Sequence, residues 1–278
     1  MNKTYIGEFD IETTLMGGQA FNWIYNEGFY YGSTQLGVIK VKYQDGELVW
    51  QTYPENDDYE LIKRYFKLDS DYEKILGIIN KDEHMRVAIN TYPGLRLLEQ
   101  DFEQTLISYI ISANNNIKKI RLSTKLLSEM IGNKLIVDDI KMYTFPKMEN
   151  IADLSLERLR ESKVGYRAPY ILKSSKLILE MGITEKIHGL ELSEARNILM
   201  TLSGVGPKVA DCILVYSLAF EEITPFDIWA KRFISQYYGI NEKSKYNEMR
   251  DWAIEYFEGY AGWGGQFLFE YIRKNYQK

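Results

Sequence analysis

LSGVGPKVADCI, residues Leu202 to Ile213, sets two glycines, a proline and a lysine between two apolar segments of helical period. A helix ends near Leu202. Gly204 and Gly206 allow a positive φ or a close backbone approach. Pro207 suits the first position of the next helix, where a missing N–H costs nothing. The spacing predicts a helix, a tight turn and a second helix over Ser193–Phe220. Such a turn, at Gly204, Val205 and Gly206, offers free backbone N–H groups at the positive end of a helix. That arrangement suits phosphate oxygens and ignores base identity.

Val209, Ile213, Tyr216 and Phe220 share the face expected to meet the core. Lys208 and Cys212 stand four apart, so their side chains meet on an adjacent face. In a partly dry cleft a lysine's charged form is disfavoured, and its pKa falls below the usual value of about 10.4. The neutral amine can then attack an electrophilic carbon and form an imine. Downstream, in TPFDIWAKRF, Pro225 disfavours helix just before it, which makes Asp227 the natural N-cap of a helix from Ile228. If the fold returns Asp227 towards Lys208, an amine and a fixed anion share one cleft, a pair suited to a cationic sugar intermediate. The plainer alternatives are a structural hairpin, a lysine snorkelling over the turn, a small core cysteine and a simple cap.

The chain of 278 residues suits two compact domains. No run of eighteen apolar residues exists and the N-terminus lacks a signal-peptide core, so a cytoplasmic setting is expected, nucleoid-associated in a bacterium. The single cysteine excludes an internal disulfide and a four-thiolate cluster; with His84 and His188 the only histidines, no metal site is expected. The net charge of −5 hides local grouping. Lys163, Arg167, Lys173 and Lys176 form a run without acids; Lys118, Lys119, Arg121, Lys125 and Lys134 stand against Glu129 alone; the acids gather in ENDDYE, Glu55–Glu60.

The first fifty-odd residues are rich in aromatic and β-branched types, with turn signals at Asn26-Glu27-Gly28 and Asp45-Gly46. They predict a small antiparallel sheet. After Pro54 the period becomes helical, with helices expected at Asp57–Phe66, Asp71–Asn80, Glu83–Thr91, Ile117–Ile131, Ser155–Ser162, Pro169–Met181, Ser193–Thr201, Pro207–Phe220, Ile228–Tyr238 and Ser244–Tyr260, and a last one in GGQFLFEYIRKNY. In DFEQTLISYIISA, Phe102, Leu106, Tyr109 and Ile110 form one buried stripe. The expected class is α+β: residues 1–92 carry the sheet and helices, and residues 93–278 form a helical region containing the hairpin at 193–220.

Five blocks in order carry a family resemblance: GGQAFNW (Gly17–Trp23), LRLLEQDFEQTLISYIISANNNIKKI, GYRAPYI (Gly165–Ile171), LSGVGPKVADCI with PFDIW, and YAGWGGQFLF. Together they resemble the 8-oxoguanine DNA glycosylase/lyase family of the helix-hairpin-helix glycosylase superfamily. The resemblance implies that Lys208 displaces the base, forms a Schiff base and permits β-elimination, with Asp227 assisting. It implies that Cys212 and Phe269 sandwich the everted base, and that the Gly18 carbonyl accepts the N7 proton of the oxidised purine. Guanine carries an acceptor at N7 where 8-oxoguanine carries a donor, so a carbonyl there attracts one and repels the other. An ion pair between Lys208 and Cys212 is also implied, which requires a lowered thiol pKa.

For DNA, the resemblance implies that Asn114 fills the space left in the helix, Tyr166 wedges the duplex and Arg167 contacts the orphaned cytosine; these contacts offset the cost of extrusion. Three positions depart from better-known members of the family. Lys119 stands where an arginine reads cytosine and lacks its planar fork, so a relaxed opposite-base preference is expected. Trp229 replaces a histidine. Gly265 replaces the glutamine that contacts the base's pairing edge, with Gln266 beside it. The partner implied is double-stranded DNA containing oxidised guanine, bound by a monomer, with no redox or nucleotide cofactor. A related glycosylase for other damaged bases and a non-catalytic hairpin module that clamps phosphate remain as alternatives on the sequence.

Overall fold

The computed structural model describes residues 1–54 and 58–275. Glu55 and Asp57 of the acidic stretch, and Tyr276 of the last expected helix, lie outside the described residues. Strand β1 (Asn2–Tyr5) and helix α1 (Ile11–Met16) precede strands β2 (Trp23–Asn26), β3 (Phe29–Ser33), β4 (Val38–Gln44) and β5 (Glu47–Tyr53). The sheet is antiparallel in the order β1-β5-β4-β3-β2. Both expected turns close two-residue loops. Asn26 faces Phe29 across Glu27 and Gly28, Gln44 faces Glu47 across Asp45 and Gly46, and all four loop residues have positive φ. That twist matches the twist of paired strands. β1 and α1 are additions to the expected set.

Helices α2 (Tyr59–Tyr65), α3 (Tyr72–Ile79) and α4 (Glu83–Thr91) each start on an aspartate. Asp58, Asp71 and Asp82 accept the N–H three residues on, at 2.9, 3.2 and 2.9 Å; each cap satisfies an orphan donor of the first turn. Helix α5 (Phe102–Ser112) is buried from Phe102 to Ile111 except at Glu103, polar Gln104, Thr105 and Ser108 included. It is the central helix of the core and not the one-sided element that its stripe implied. Helix α6 (Ile117–Ile131) follows the Asn114 turn.

A two-stranded hairpin, β6 (Lys134–Val137) and β7 (Ile140–Tyr143), interrupts the region expected to be helical. Its loop is Asp138-Asp139, both at positive φ, a conformation that aspartate tolerates better than most residues. Helices α7 (Met148–Ala152), α8 (Leu156–Glu161), α9 (Ala168–Met181), α10 (Ile183–Ile187), α11 (Leu192–Thr201), α12 (Pro207–Ser217), α13 (Ile228–Tyr238), α14 (Tyr246–Tyr256) and α15 (Ala261–Asn275) complete the chain. α12 and α14 end earlier than expected, at left-handed Ala219 and at Glu258-Gly259.

One apolar cluster joins the sheet to α1 and α2 through Phe9, Leu15, Trp23, Tyr65 and Phe66. The larger core runs from Phe21 through α3 and α4 to α15, so the helices that follow the sheet pack with the C-terminal ones. Buried Lys67 binds Glu99 at 3.3 Å and Glu221 at 2.7 Å, which ties the end of α2 to the segment after α12. Among the described residues no helix is long and apolar enough to cross a membrane.

Candidate active site

The hairpin forms as the sequence predicts, with α11 and α12 joined at Leu202–Gly206. Gly204 takes φ +84, and a Cβ there would lie 3.0 Å from Tyr170 Cβ. This position requires glycine on both counts. Gly206 is extended with open space around it, so its freedom is not used in the same way. Val205 is buried, and its N–H is bonded to the Leu202 carbonyl at 3.1 Å. Val205 therefore anchors the turn from below. A buried pair, Arg196 Nε to Asp211 Oδ1 at 2.8 Å, links the two helices; burial pushes the Asp211 carboxyl up, opposed by Arg196.

Pro207 opens α12, which puts half-buried Lys208 in its first turn. The Lys208 Nζ lies 5.4 Å from the centre of the Tyr109 ring, which stacks on Tyr216 at 5.6 Å. Asp227 caps α13: its Oδ1 accepts from Trp229 N at 3.0 Å and Ala230 N at 2.8 Å. A charged acceptor at a helix N-terminus is stabilised as the anion. Lys208 and Asp227 line one cavity of about 720 Å³, together with Gly18, Cys212 and Phe269. Trp229 lines it too, with Arg232 over its ring at 5.3 Å.

Two of the expected site residues are buried. Cys212 is 1% exposed, and burial pushes its thiol up to about 11 against the pull of Lys208. That direction is opposite to the lowering that an ion pair with Lys208 requires. Arg167 is also buried: its guanidinium donates to the Ala113 carbonyl (2.9 Å from Nε) and to the Asn114 carbonyl at 2.9 Å. Its donors hold the Asn114 turn and are not presented to solvent.

The other DNA-facing candidates gather around that turn. Asn114 is exposed at φ +50, and Tyr166, 55% exposed, donates its hydroxyl to the Ala113 carbonyl at 3.2 Å. Lys119 is exposed on the first turn of α6, where Asn116 caps its N–H at 3.0 Å. Asn115, Asn116 and Lys118 line the cavity, so the turn lies at its edge. Tyr170 meets Tyr166 edge-on at 6.3 Å and packs under Gly204, which connects this cluster to the hairpin.

Gln266 does not reach the cavity. It is 2% exposed and accepts from the Tyr216 hydroxyl at 2.9 Å. Gly265 has no room for a side chain, since a Cβ would lie 1.8 Å from Thr224 Oγ1. Sequence reasoning missed Tyr109 and Tyr216 as wall residues, and it missed Arg121 and Arg273, which also line the cavity. The Tyr109 hydroxyl lies 3.3 Å from both the Gly18 and the Gln19 carbonyl oxygens.

Residues 3–106 match the family described as the 8-oxoguanine DNA glycosylase N-terminal domain, and residues 107–257 match the HhH-GPD superfamily base excision DNA repair proteins. A probable N-glycosylase/DNA lyase of Methanothermobacter thermautotrophicus is 30% identical, over 92% of this chain and 94% of the relative. The chain belongs to the 8-oxoguanine DNA glycosylase/lyase family. An N-glycosylase/DNA lyase of Saccharomyces cerevisiae is 27% identical over 94% of this chain and 83% of its own length. The 8-oxoguanine glycosylase/lyase of Clostridium acetobutylicum, solved with double-stranded DNA containing cytosine opposite 8-oxoguanine, superposes with a TM-score of 0.90 at 29% identity, covering 96% of this chain and 93% of that one. The five sequence blocks thus identified the family, and this member is a glycosylase/lyase of base-excision DNA repair.

Proposed function

We propose that the protein removes 8-oxoguanine from duplex DNA as a monomer and then cleaves the backbone at the resulting site. The observation that carries this is the shared cavity: an amine from the start of α12 and a carboxylate from the start of α13 open onto the same space as Gly18 and Phe269. An everted nucleotide enters with its base between Phe269 and Cys212, and the Gly18 carbonyl accepts its N7–H. Undamaged guanine offers only a lone pair there and is repelled.

As the bond from the sugar C1′ to the base breaks, positive charge develops on the sugar, and the Asp227 carboxylate stabilises it. The Lys208 amine donates its electron pair to C1′, and the base leaves with the bonding pair and takes up a proton. Loss of the amine proton and opening of the sugar give the imine. The imine acidifies the C2′ hydrogen, whose removal expels the 3′ phosphate. Asn114 and Tyr166 occupy the gap in the duplex, and Gly204, Gly206 and the exposed cations hold phosphates, so binding weakens with salt. Lys119, lacking a fork, gives a relaxed opposite-base preference.

Borohydride trapping on an 8-oxoguanine duplex tests the reading. The wild-type protein forms a covalent adduct; Lys208→Gln still binds the lesion but loses trapping and strand cleavage by on the order of a thousandfold or more. Retained lyase activity in that variant refutes the assignment. Excision opposite each of the four bases tests Lys119: a cytosine preference greater than about a hundredfold contradicts the relaxed reading.

A further inference from the structure

Gly17 and Gly18 meet α15 with no side chain between them. A Cβ on Gly17 would lie 2.4 Å from Glu270 Oε1, and one on Gly18 would lie 2.3 Å from the Phe269 ring. Glu270 is fully buried and is not part of the cavity wall. Its Oε1 accepts the Gly18 N–H at 3.1 Å. Its Oε2 pairs with Arg273, whose Nε donates at 3.1 Å and whose Nη2 lies closer. On the other side, the Tyr109 hydroxyl reaches the Gly18 carbonyl, and Gln100 Nε2 donates to the Gln19 carbonyl at 2.7 Å.

We infer that Glu270 is a positioning residue for lesion discrimination, acting through Gly18. This rests on the proposal that the Gly18 carbonyl reads N7–H. A glycine has no side chain to fix its peptide planes, and a carbonyl that swings aside no longer distinguishes a donor from an acceptor at N7. An ionised acceptor on the Gly18 N–H holds the Gly17–Gly18 peptide plane more firmly than a neutral one does, and so fixes the frame from which the plane carrying the Gly18 carbonyl turns. A carboxylate so deeply buried needs a countercharge, and Arg273 supplies it from the cavity side. Phe269 and Glu270, neighbours on one helix, therefore press on Gly18 in two ways: one offers the stacking surface and the other aims the carbonyl.

Glu270→Met removes the acceptor and keeps the volume, whereas Glu270→Gln keeps an acceptor. Each is made in the full chain with Lys208 intact, for cleavage of an abasic duplex, and in the Lys208→Gln background, for binding of 8-oxoguanine and guanine duplexes. Glu270→Met is expected to shrink the 8-oxoguanine-over-guanine affinity ratio by about tenfold or more, and Glu270→Gln by about threefold or less. Abasic-site cleavage, which needs no base recognition, stays within about twofold in both. If Glu270→Met fails to fold, Glu270→Met with Arg273→Met, which leaves no unpaired guanidinium, replaces it. An unchanged ratio in the methionine variant, an equal loss in both variants, or abasic cleavage falling in parallel with the ratio overturns the inference alone. A wild-type protein that cleaves abasic DNA but shows no preference for 8-oxoguanine overturns the substrate reading, and this inference with it.

Discussion

The two walls of the cavity are held in place by different means. The wall proposed as catalytic is local. Lys208 is placed by Pro207 and the turn before it, and Asp227 by the start of its own helix. The wall proposed to recognise the base is assembled from afar: Gly18 is bonded to Tyr109, 91 residues on, and to Glu270, 252 residues on. On the proposed mechanism, chemistry depends on helix ends that form wherever their short sequences fold. On the same reading, discrimination depends on three distant segments meeting within hydrogen-bond distance. Substitutions on the first wall should therefore stop the reaction, and those on the second should change which base is chosen.

The largest effect separating the walls is expected from Asp227→Asn. Asparagine caps a helix about as well as aspartate, so stability should change by no more than about 1 kcal/mol. The anion facing the sugar is lost, and excision should fall by on the order of a hundredfold. Single-turnover excision measured beside thermal unfolding checks this. A variant that unfolds early yet excises at the wild-type rate would reduce Asp227 to a cap.

Tyr109→Phe addresses the second wall. The stack on Tyr216 and the ring beneath Lys208 remain, and only the hydroxyl contacts to the Gly18 and Gln19 carbonyls go. One hydrogen bond is worth about 1 kcal/mol net, so the preference for 8-oxoguanine over guanine should drop by about three- to tenfold. Borohydride trapping on abasic DNA should be unchanged. Equal losses in both assays would mean that the hydroxyl supports the Lys208 chemistry and not the Gly18 carbonyl alone.

The same division explains what was legible in the sequence. Pro207-Lys208, the Asp227 cap and the turns at Glu27-Gly28 and Asp45-Gly46 are short-range signals, and each marks the feature expected. Tyr109 fell on the core stripe because a residue of a fully buried helix has the same period whether it faces packing or a cavity. Strand β1 has four residues and pairs with β5 across more than forty positions, so nothing local announces it. The β6–β7 turn carries Asp-Asp in place of a glycine, a weaker cue for the same positive-φ geometry. Glu270 and Arg273 read as an ordinary helical ion pair; only the approach of Gly17 and Gly18 to α15 sets them apart.

The smallest effect lies away from both walls, at the Asp138 turn. Asp138 pairs with Lys40 and accepts the Tyr31 hydroxyl at 2.8 Å, which docks the β6–β7 hairpin on the sheet. The Lys40 hydrogen bond holds the Asp138 carboxyl below its ordinary range, even though the group is 39% exposed. A depressed folded-state pKa means that the stabilisation is fully present above the unfolded value, about 3.9, and is lost as pH falls through the folded one. Asp138→Asn should therefore lower the unfolding temperature slightly at neutral pH, the loss being small because solvent screens the pair. The gap to wild type should narrow once pH drops below about 4, while lesion preference and trapping stay unchanged. A gap of constant size down to acid pH would mean that the hairpin is held by the shape of the contact, and a change in lesion preference would mean that the sheet reaches the recognition wall.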